Sequence, residues 1–215
     1  MKKARDAAGG RNQIGQVMGR KGHDTRARLI TAAAQLVATK PLRDLRVSDI
    51  ARAAGIGAPS FYVYFPDVGA AVLAALEGHP QSSPELLEIL DRDWSADGSA
   101  CARAFVDAYL DSWQHNFALL RARNLAADEG DARFVEQRRG DIQPILDRLA
   151  AKVRAAQQAG HAPGDVAPAA VAGAISAALE RLAAAPRWSR TGPELEAELR
   201  QAVAYILVSA LALPA

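Results

Sequence analysis

An all-α fold is predicted for this 215-residue chain on three observations. Ala, Leu, Glu, Arg and Gln dominate the sequence, and alternating β-branched runs are absent. Apolar residues recur in steps of three and four, and clusters of Gly, Pro, Asp and Ser interrupt that period at helix-length intervals. Helices are expected over 24–38, 47–54, 58–65, 67–77, 84–92, 99–127 with a break, 131–159, 167–185 and 194–212. The expected segmentation is a disordered basic arm over 1–22, a small head over 23–66 and a larger helical body over 67–215. A chain of this length accommodates both a small domain and a second one with its own core.

The arm comes first. Lys2, Lys3, Arg5, Arg11, Arg20 and Lys21 lie among Gly, Asn, Gln and Ala without apolar periodicity. Two readings stay open: a solvated tail, or a segment that follows the minor groove or backbone of a duplex. Charge divides sharply, because residues 1–70 hold 12 Lys or Arg against 5 Asp or Glu, while the remainder holds 14 against 19. The formal net is only +2, yet a basic head on an acidic body confines any polyanion to the head.

Residues 46–69 carry the strongest local pattern. Val47, Ile50, Ala51 and Ala54 fall at i, i+3, i+4 and i+7 and form one buried stripe. Gly55 ends that helix, since glycine takes a positive φ without a Cβ penalty, and Ile56 packs back under the turn. In the next helix Ala58, Phe61 and Phe65 face inward, which leaves Pro59, Ser60 and Val63 outward with Tyr62 and Tyr64 beside them. Pro59 suits a first helical turn. Two helices joined by a tight Gly-containing turn make a helix-turn-helix, whose second helix enters the major groove; the competing reading is an ordinary hairpin in a bundle core.

Thr25 to Leu76 resemble the DNA-binding domain of the TetR family of transcriptional regulators. The carriers are the helix ARLITAAAQLV with Pro41 and Leu42, then Asp49-Ile50-Ala51, Ala54-Gly55-Ile56, and Phe61-Tyr62-Val63-Tyr64-Phe65-Pro66. The resemblance implies an N-terminal three-helix helix-turn-helix domain joined to a helical ligand-binding and dimerisation domain. It implies that Ser60, Tyr62, Val63 and Tyr64 approach bases and phosphates, and the expected DNA contacts are Arg46, Ser48, Ala58, Pro59, Ser60, Tyr62, Val63 and Tyr64. The chain departs from the family pattern in three places. Arg46 stands where Ser or Thr usually caps the first helix and cannot accept its free amide hydrogens; the expectation is a phosphate contact instead. Gly57 and Ala58 replace a Ser-Lys or Ser-Arg pair, and Val68 and Gly69 replace Lys-Glu. Phosphate neutralisation supplies most non-specific affinity, so the missing cations must be restored by another segment, for which the arm is the candidate.

In the body, Gly78 to Pro84, Asp97 to Ser99, Glu129 to Gly130, Gly160 to Gly164 and Pro186 to Pro193 read as breaks, and Pro144 sits inside a helical run that it is expected to kink. Large apolar groups concentrate at Trp94, Phe105, Tyr109, Trp113, Phe117, Leu120, Phe134, Ile145 and Leu149. They are plain core on one reading. On the other, Phe105, Tyr109, Trp113, Phe117, Leu120, Phe134, Ile145 and Leu149 line a ligand cavity in which Asn116 or Asn124 orients the guest. The last two helices have broader apolar faces than one buried stripe requires. Val171, Ile175, Ala178 and Leu182, with Leu195, Leu199, Ala202, Val203, Ile206, Ala210 and Leu213, would make a four-helix dimer interface across a two-fold axis, or simple intrachain packing. The expected dimer contacts are Val171, Ile175, Ala178, Leu182, Leu199, Val203, Ile206 and Ala210, and the resemblance favours the homodimer.

Signs of catalysis are sparse. His23, His79, His115 and His161 form no His-x-x-x-His or Glu-x-x-His pair, and Gly55-x-Gly57 follows a helix rather than a strand, so no metal or cofactor is expected. Asp128, Glu129 and Asp131 suit the start of the following helix. The single Cys101 excludes an internal disulfide and fits a reducing compartment. The longest apolar run, Ala202 to Ala215, is short of the ~20 residues that span a bilayer, so a cytoplasmic protein without membrane partners is expected. The resulting expectation is a dimeric regulator, not an enzyme, that binds a palindromic double-stranded operator and is released by an unidentified small apolar or amphipathic effector. The alternatives are a non-specific architectural DNA binder and a helical enzyme or lipid carrier fused to a helix-turn-helix.

Overall fold

The computed structural model describes residues 13, 15–184 and 193–211, and every described element is helical. In chain order these are α1 (Arg20–Leu36), a 3-10 turn (Leu42–Asp44), α2 (Val47–Ala53), α3 (Ala58–Phe61), α4 (Val68–Glu77) and α5 (Pro84–Asp91). They continue with α6 (Gly98–His115), α7 (Phe117–Asp128), α8 (Ala132–Gln158), α9 (Pro168–Ala184) and α10 (Pro193–Ala210). Two compact units result: one holds the described residues up to His79 together with Ala118–Phe134, and the other holds Pro80–Phe117 together with the described residues from Val135 onward. The expected break at 186–193, apart from Pro193, and the basic residues Lys2, Lys3, Arg5 and Arg11 lie outside the described residues.

In the first unit, α1 buries Leu29, Ala32 and Ala33 and packs on α2 and α4. It begins at Arg20, so Arg20 and Lys21, assigned to the arm from sequence, form its first turn. Both are good helix formers, and the Gly19 carbonyl accepts the amides of Gly22 and His23 at 2.8 and 3.1 Å. Ahead of the helix, the Gln13 amide donates to the Val63 carbonyl at 2.9 Å, which fastens this end of the arm to the segment after α3. Asp67 caps α4 by accepting the Ala70 amide at 2.7 Å, and Ala71, Val72, Ala75 and Leu76 form its buried side. The sequence-based segmentation put the helix after Pro66 with the body; its contacts with α1 group it with the head.

In the second unit α6 is the central helix, packed on α5, α9 and α10. Phe105, Tyr109 and Trp113 are each at most 1% exposed, and Ile145, Leu149, Leu179 and Leu207 are wholly buried. The long helical run expected over 99–127 breaks at Asn116, whose amide bonds back to the Ser112 and Trp113 carbonyls before α7 starts. Polar ties fix the periphery. The Asp141 carboxylate accepts the Gln81 amide at 3.0 Å, and Arg148 pairs with Asp91 at 2.8 Å. Arg200 reaches Asp107, Asp111 and Glu196 at 3.0–3.1 Å, joining α10 to α6. Lys152 lies 4.6 Å from the Trp94 ring centre and donates to the Arg92 carbonyl.

Candidate nucleic-acid interface

The interface is built on the α2–α3 turn. Gly55 has φ 69°, its amide donates to the Arg52 carbonyl, and the Ile56 amide donates to the Ala51 carbonyl at 2.9 Å. These are the paired bonds by which a left-handed glycine closes a helix. Arg28 of α1 adds a bond from Nη1 to the Ala54 carbonyl at 2.8 Å, so the turn is held from outside as well. Below the turn Ile50, Ala51, Ala54, Phe61 and Phe65 are at most 5% exposed, and Phe61 packs against Phe65 with ring centres 5.8 Å apart. These are five of the seven residues read from the sequence as facing inward; the other two, Val47 and Ala58, are half-buried.

The opposite side meets solvent. Pro59, Ser60 and Tyr62 are exposed, Tyr62 at 54%, while Ala58, Val63 and Tyr64 are half-buried. The α-helix proper is shorter than the 58–65 expected. It covers Ala58–Phe61, and tight turns continue it, with Val63 bonded to Ser60 and both Tyr64 and Phe65 bonded to Phe61. Pro66 follows and cannot continue the ladder, so the last residues wind down as turns. The Tyr62 ring stands edge-on to Phe61, 5.8 Å between centres, so the exposed tyrosine is braced by the buried phenylalanine.

Arg46 and Ser48, the other expected DNA contacts, are exposed at the start of α2. The cap missing at Arg46 is replaced from the other direction, because Asp49 Oδ2 accepts the Arg46 amide at 3.1 Å. Asp49 also pairs with Lys40 at 2.8 Å and with Arg52 at 2.9 Å. The hydrogen bond from Lys40, backed by the Arg46 amide, holds its carboxyl below the ordinary carboxylate range. Lys40, Arg43, Asp44, Arg46, Ser48, Asp49 and Arg52 together wall a polar hollow of about 510 Å³. Reading the sequence for the second helix missed Lys40, Arg43 and Arg52. The available signal was their spacing around Asp49, since Arg46 and Arg52 stand three residues to either side of it.

A larger cleft of about 930 Å³ runs from these arginines to the second helix. Arg43, Arg46 and Ser48 wall it with Ala58, Tyr62, Asp67, Gly69 and Arg133. At its far side Arg133 bridges Asp67 at 2.9 Å and Asp131 at 2.8 Å. The Arg133 hydrogen bond lowers the pKa of Asp131, and the bonds to Asp131 and then Asp67 raise that of Arg133. Asp131 therefore does more than favour the start of α8: it accepts both the amide and the guanidinium of Arg133. A bridge spanning 66 residues has no local sequence signal.

The residues expected to hold a ligand fall in both units. Phe105, Tyr109, Trp113, Ile145 and Leu149 are buried in the second, where Phe117 is half-buried with its ring 6.4 Å from that of Trp113. Leu120 and Phe134 are buried in the first, which also contains Asn124. Both amides make local bonds: Asn116 Nδ2 donates to the Ser112 carbonyl, and Asn124 Oδ1 accepts from Arg123 Nε. The Trp113 indole N–H is buried without an acceptor among the described residues. Of the expected dimer contacts, Ile175 is buried within the chain, Val171, Leu182, Leu199, Val203 and Ala210 are half-buried, and Ala178 and Ile206 are exposed. No described helix is long and apolar enough to cross a membrane, and no group of three or more His, Cys, Asp or Glu among the described residues could hold a metal ion.

Two family models match this chain: that of bacterial regulatory proteins of the tetR family over residues 29–67, and that of the tetracyclin repressor-like C-terminal domain over 86–212. Among curated proteins, the HTH-type transcriptional regulator EthR of Mycolicibacterium smegmatis is 27% identical over 145 residues, which is 67% of this chain and 66% of that protein. EthR of Mycobacterium tuberculosis is 27% identical over 143 residues, 66% of each chain. Among solved structures, the transcriptional regulator FadR from Bacillus subtilis in complex with stearoyl-CoA superposes with a TM-score of 0.67 at 16% identity, over 86% of this chain and 98% of that one. Regulatory protein TetR from Rhodobacter sphaeroides gives a TM-score of 0.56 at 22% identity, over 87% and 97%.

Proposed function

The chain belongs to the TetR family of bacterial regulatory proteins, and on that premise we propose that it is a dimeric repressor released from a palindromic operator by a small apolar or amphipathic ligand. The observation that carries the DNA-reading part is the two-sided second helix. Small groups and the exposed Tyr62 stand on one side, and wholly buried Phe61 anchors the other. Such a helix presents base-sized contacts without a bulky or charged obstacle at its tip, as entry into a major groove requires. Arg46, Ser48, Ala58, Pro59, Ser60, Tyr62, Val63 and Tyr64 are the proposed contacts. Val63 is the weakest of them through its side chain, being half-buried, and its carbonyl already accepts the Gln13 amide.

The sensing part has separate support. The aromatic groups Phe105, Tyr109 and Trp113 line one helix of the second unit, and the acceptor-less N–H of Trp113 would be satisfied by a guest that brings an oxygen acceptor into an otherwise apolar place. The FadR structure that shares this fold holds stearoyl-CoA, which supports a long-chain amphipath as the class to try first. Release then follows from differential affinity: a ligand that binds the operator-incompetent state more tightly draws the population toward it. Dimerisation through α9 and α10 would place two reading helices on successive half-sites about 34–36 Å apart or more. The test is a footprint on the intergenic DNA beside the gene for this protein, repeated with stearoyl-CoA. A protected palindrome that the acyl-CoA clears supports the proposal; protection spread evenly along any duplex points to an architectural binder instead.

A further inference from the structure

From Gly57 to Gly69 the chain has no Lys or Arg, and its one charged residue, Asp67, is already bridged to Arg133. The second helix thus has no cation for the DNA backbone, although neutralised phosphates supply the bulk of duplex affinity. The structure concentrates cations elsewhere in the same unit. Lys40, Arg43, Arg46 and Arg52 wall one hollow, against the two acids Asp44 and Asp49. Asp49 engages Lys40 and Arg52, which leaves Arg43 and Arg46 as exposed guanidinium groups with no ion pair among the described residues. Arg43, Arg46 and the exposed Ser48 also wall the cleft that reaches Ala58 and Tyr62. The cationic hollow is therefore continuous with the surface proposed to read bases.

We propose that Arg43 and Arg46, with the Ser48 hydroxyl as a third donor, form a clamp for two consecutive phosphates of one DNA strand, and that Asp49 organises it. This rests on the DNA-reading proposal above and adds where the missing backbone charge comes from. The carboxylate of Asp49 fixes the start of α2 through the Arg46 amide and holds Lys40 and Arg52 at the rim. The exposed Arg43 and Arg46 wall the same hollow, each able to take a phosphate in a fork of N–H donors. The contact carries no base information, so it sets affinity and register while the second helix sets choice.

The experiment measures binding of the full-length chain to two duplexes, one selected by it from a random pool and one of random sequence, across a salt series. Replacing both arginines (R43Q with R46Q) is expected to flatten the slope of log affinity against log salt by about 2 per protomer, hence by about 4 for a dimer that carries two clamps, at about 0.9 per lost phosphate contact. Both duplexes weaken together, so their affinity ratio is kept. The double lysine replacement (R43K with R46K) keeps the slope, which separates lost charge from a damaged fold. Glutamine at Arg103 and Arg154, exposed residues of the second unit, removes equal charge and leaves the slope unchanged. An unaltered slope in R43Q/R46Q, or a loss confined to the selected duplex, overturns the clamp. If the wild type selects no sequence from the pool yet R43Q/R46Q still flattens its slope, the clamp stands and the operator-reading proposal fails. A wild type that binds neither duplex overturns both.

Discussion

Phe61 and Tyr62 are neighbours with opposite duties. One is wholly buried and the other is more than half exposed, and each predicts a different failure. Phe61→Ala empties a packed site under both helices and should destabilise the first unit by about 3–5 kcal/mol, read as a drop in denaturation midpoint. Tyr62→Ala should leave that midpoint within about 0.5 kcal/mol of wild type, as exposed substitutions usually do, while weakening operator binding. A pH dependence follows from Asp49 and Asp131, both held below the ordinary carboxyl value of 3.8 by hydrogen bonds from Lys40 and Arg133 respectively. A depressed carboxyl stabilises the fold above its unfolded value and loses that contribution as pH falls through the folded one. Thermal melts should therefore be flat from pH 7 to about 5 and fall below about 4. Asp131→Asn should fall less steeply there, and equal acid sensitivity in that variant would remove Asp131 from the account. At this scale the buried set was legible because apolar spacing repeats every turn. The pairing of Asp49 with Lys40 and of Arg133 with Asp67 was not, since side-chain contacts across nine and 66 residues leave no period to read.

The turn between α2 and α3 shows most clearly how sequence becomes function. Gly55 sits at φ 69°, where an added Cβ has room, 3.6 Å from Arg28 Nη1, but the backbone itself resists an L side chain. Gly55→Ala should cost about 1 kcal/mol by strain alone. At Gly69 the backbone is ordinary and space is the limit, since a Cβ would lie 2.9 Å from Arg133 Nη2 and 3.2 Å from Asp67 Oδ1. Gly69→Ala should push the guanidinium off Asp67 and speed amide exchange at Ala70, whose N–H Asp67 caps. Because both partners of that bridge are about half exposed, the stability lost should stay under about 1 kcal/mol. Helix identities were readable throughout from period and punctuation, and most ends fell within a residue or two. The exceptions have local causes: α1 extends back to Arg20 because Arg and Lys continue a helix well, and α3 shortens to Phe61 ahead of Pro66.

For the molecule as a whole, the exposed apolar residues of α10 give the dimer prediction. Ala204, Leu207, Val208 and Leu211 are buried within the chain, whereas Tyr205 and Ile206 are 72% and 50% exposed. Ile206→Glu should convert a dimer to a monomer by light scattering at micromolar concentration while preserving helicity, and a wild type that is already monomeric would contradict the two-fold arrangement. The helix-turn-helix was legible in the sequence because its residues are contiguous and its turn chemistry is nearly unique. The cations proposed to meet phosphates were less so, because they lie ahead of the second helix and carry no periodic signal, and the residues proposed for sensing were less so because aromatic residues in a helix look alike whether they fill a core or line a pocket. The central claim is that the face of the second helix chooses the DNA sequence. The most direct measurement is the affinity ratio between a selected and a random duplex for wild type and for the double substitution Tyr62→Ala with Tyr64→Ala, alongside circular dichroism. The account predicts intact helicity with a ratio collapsed toward one; a ratio equal to that of wild type in a folded variant would contradict it.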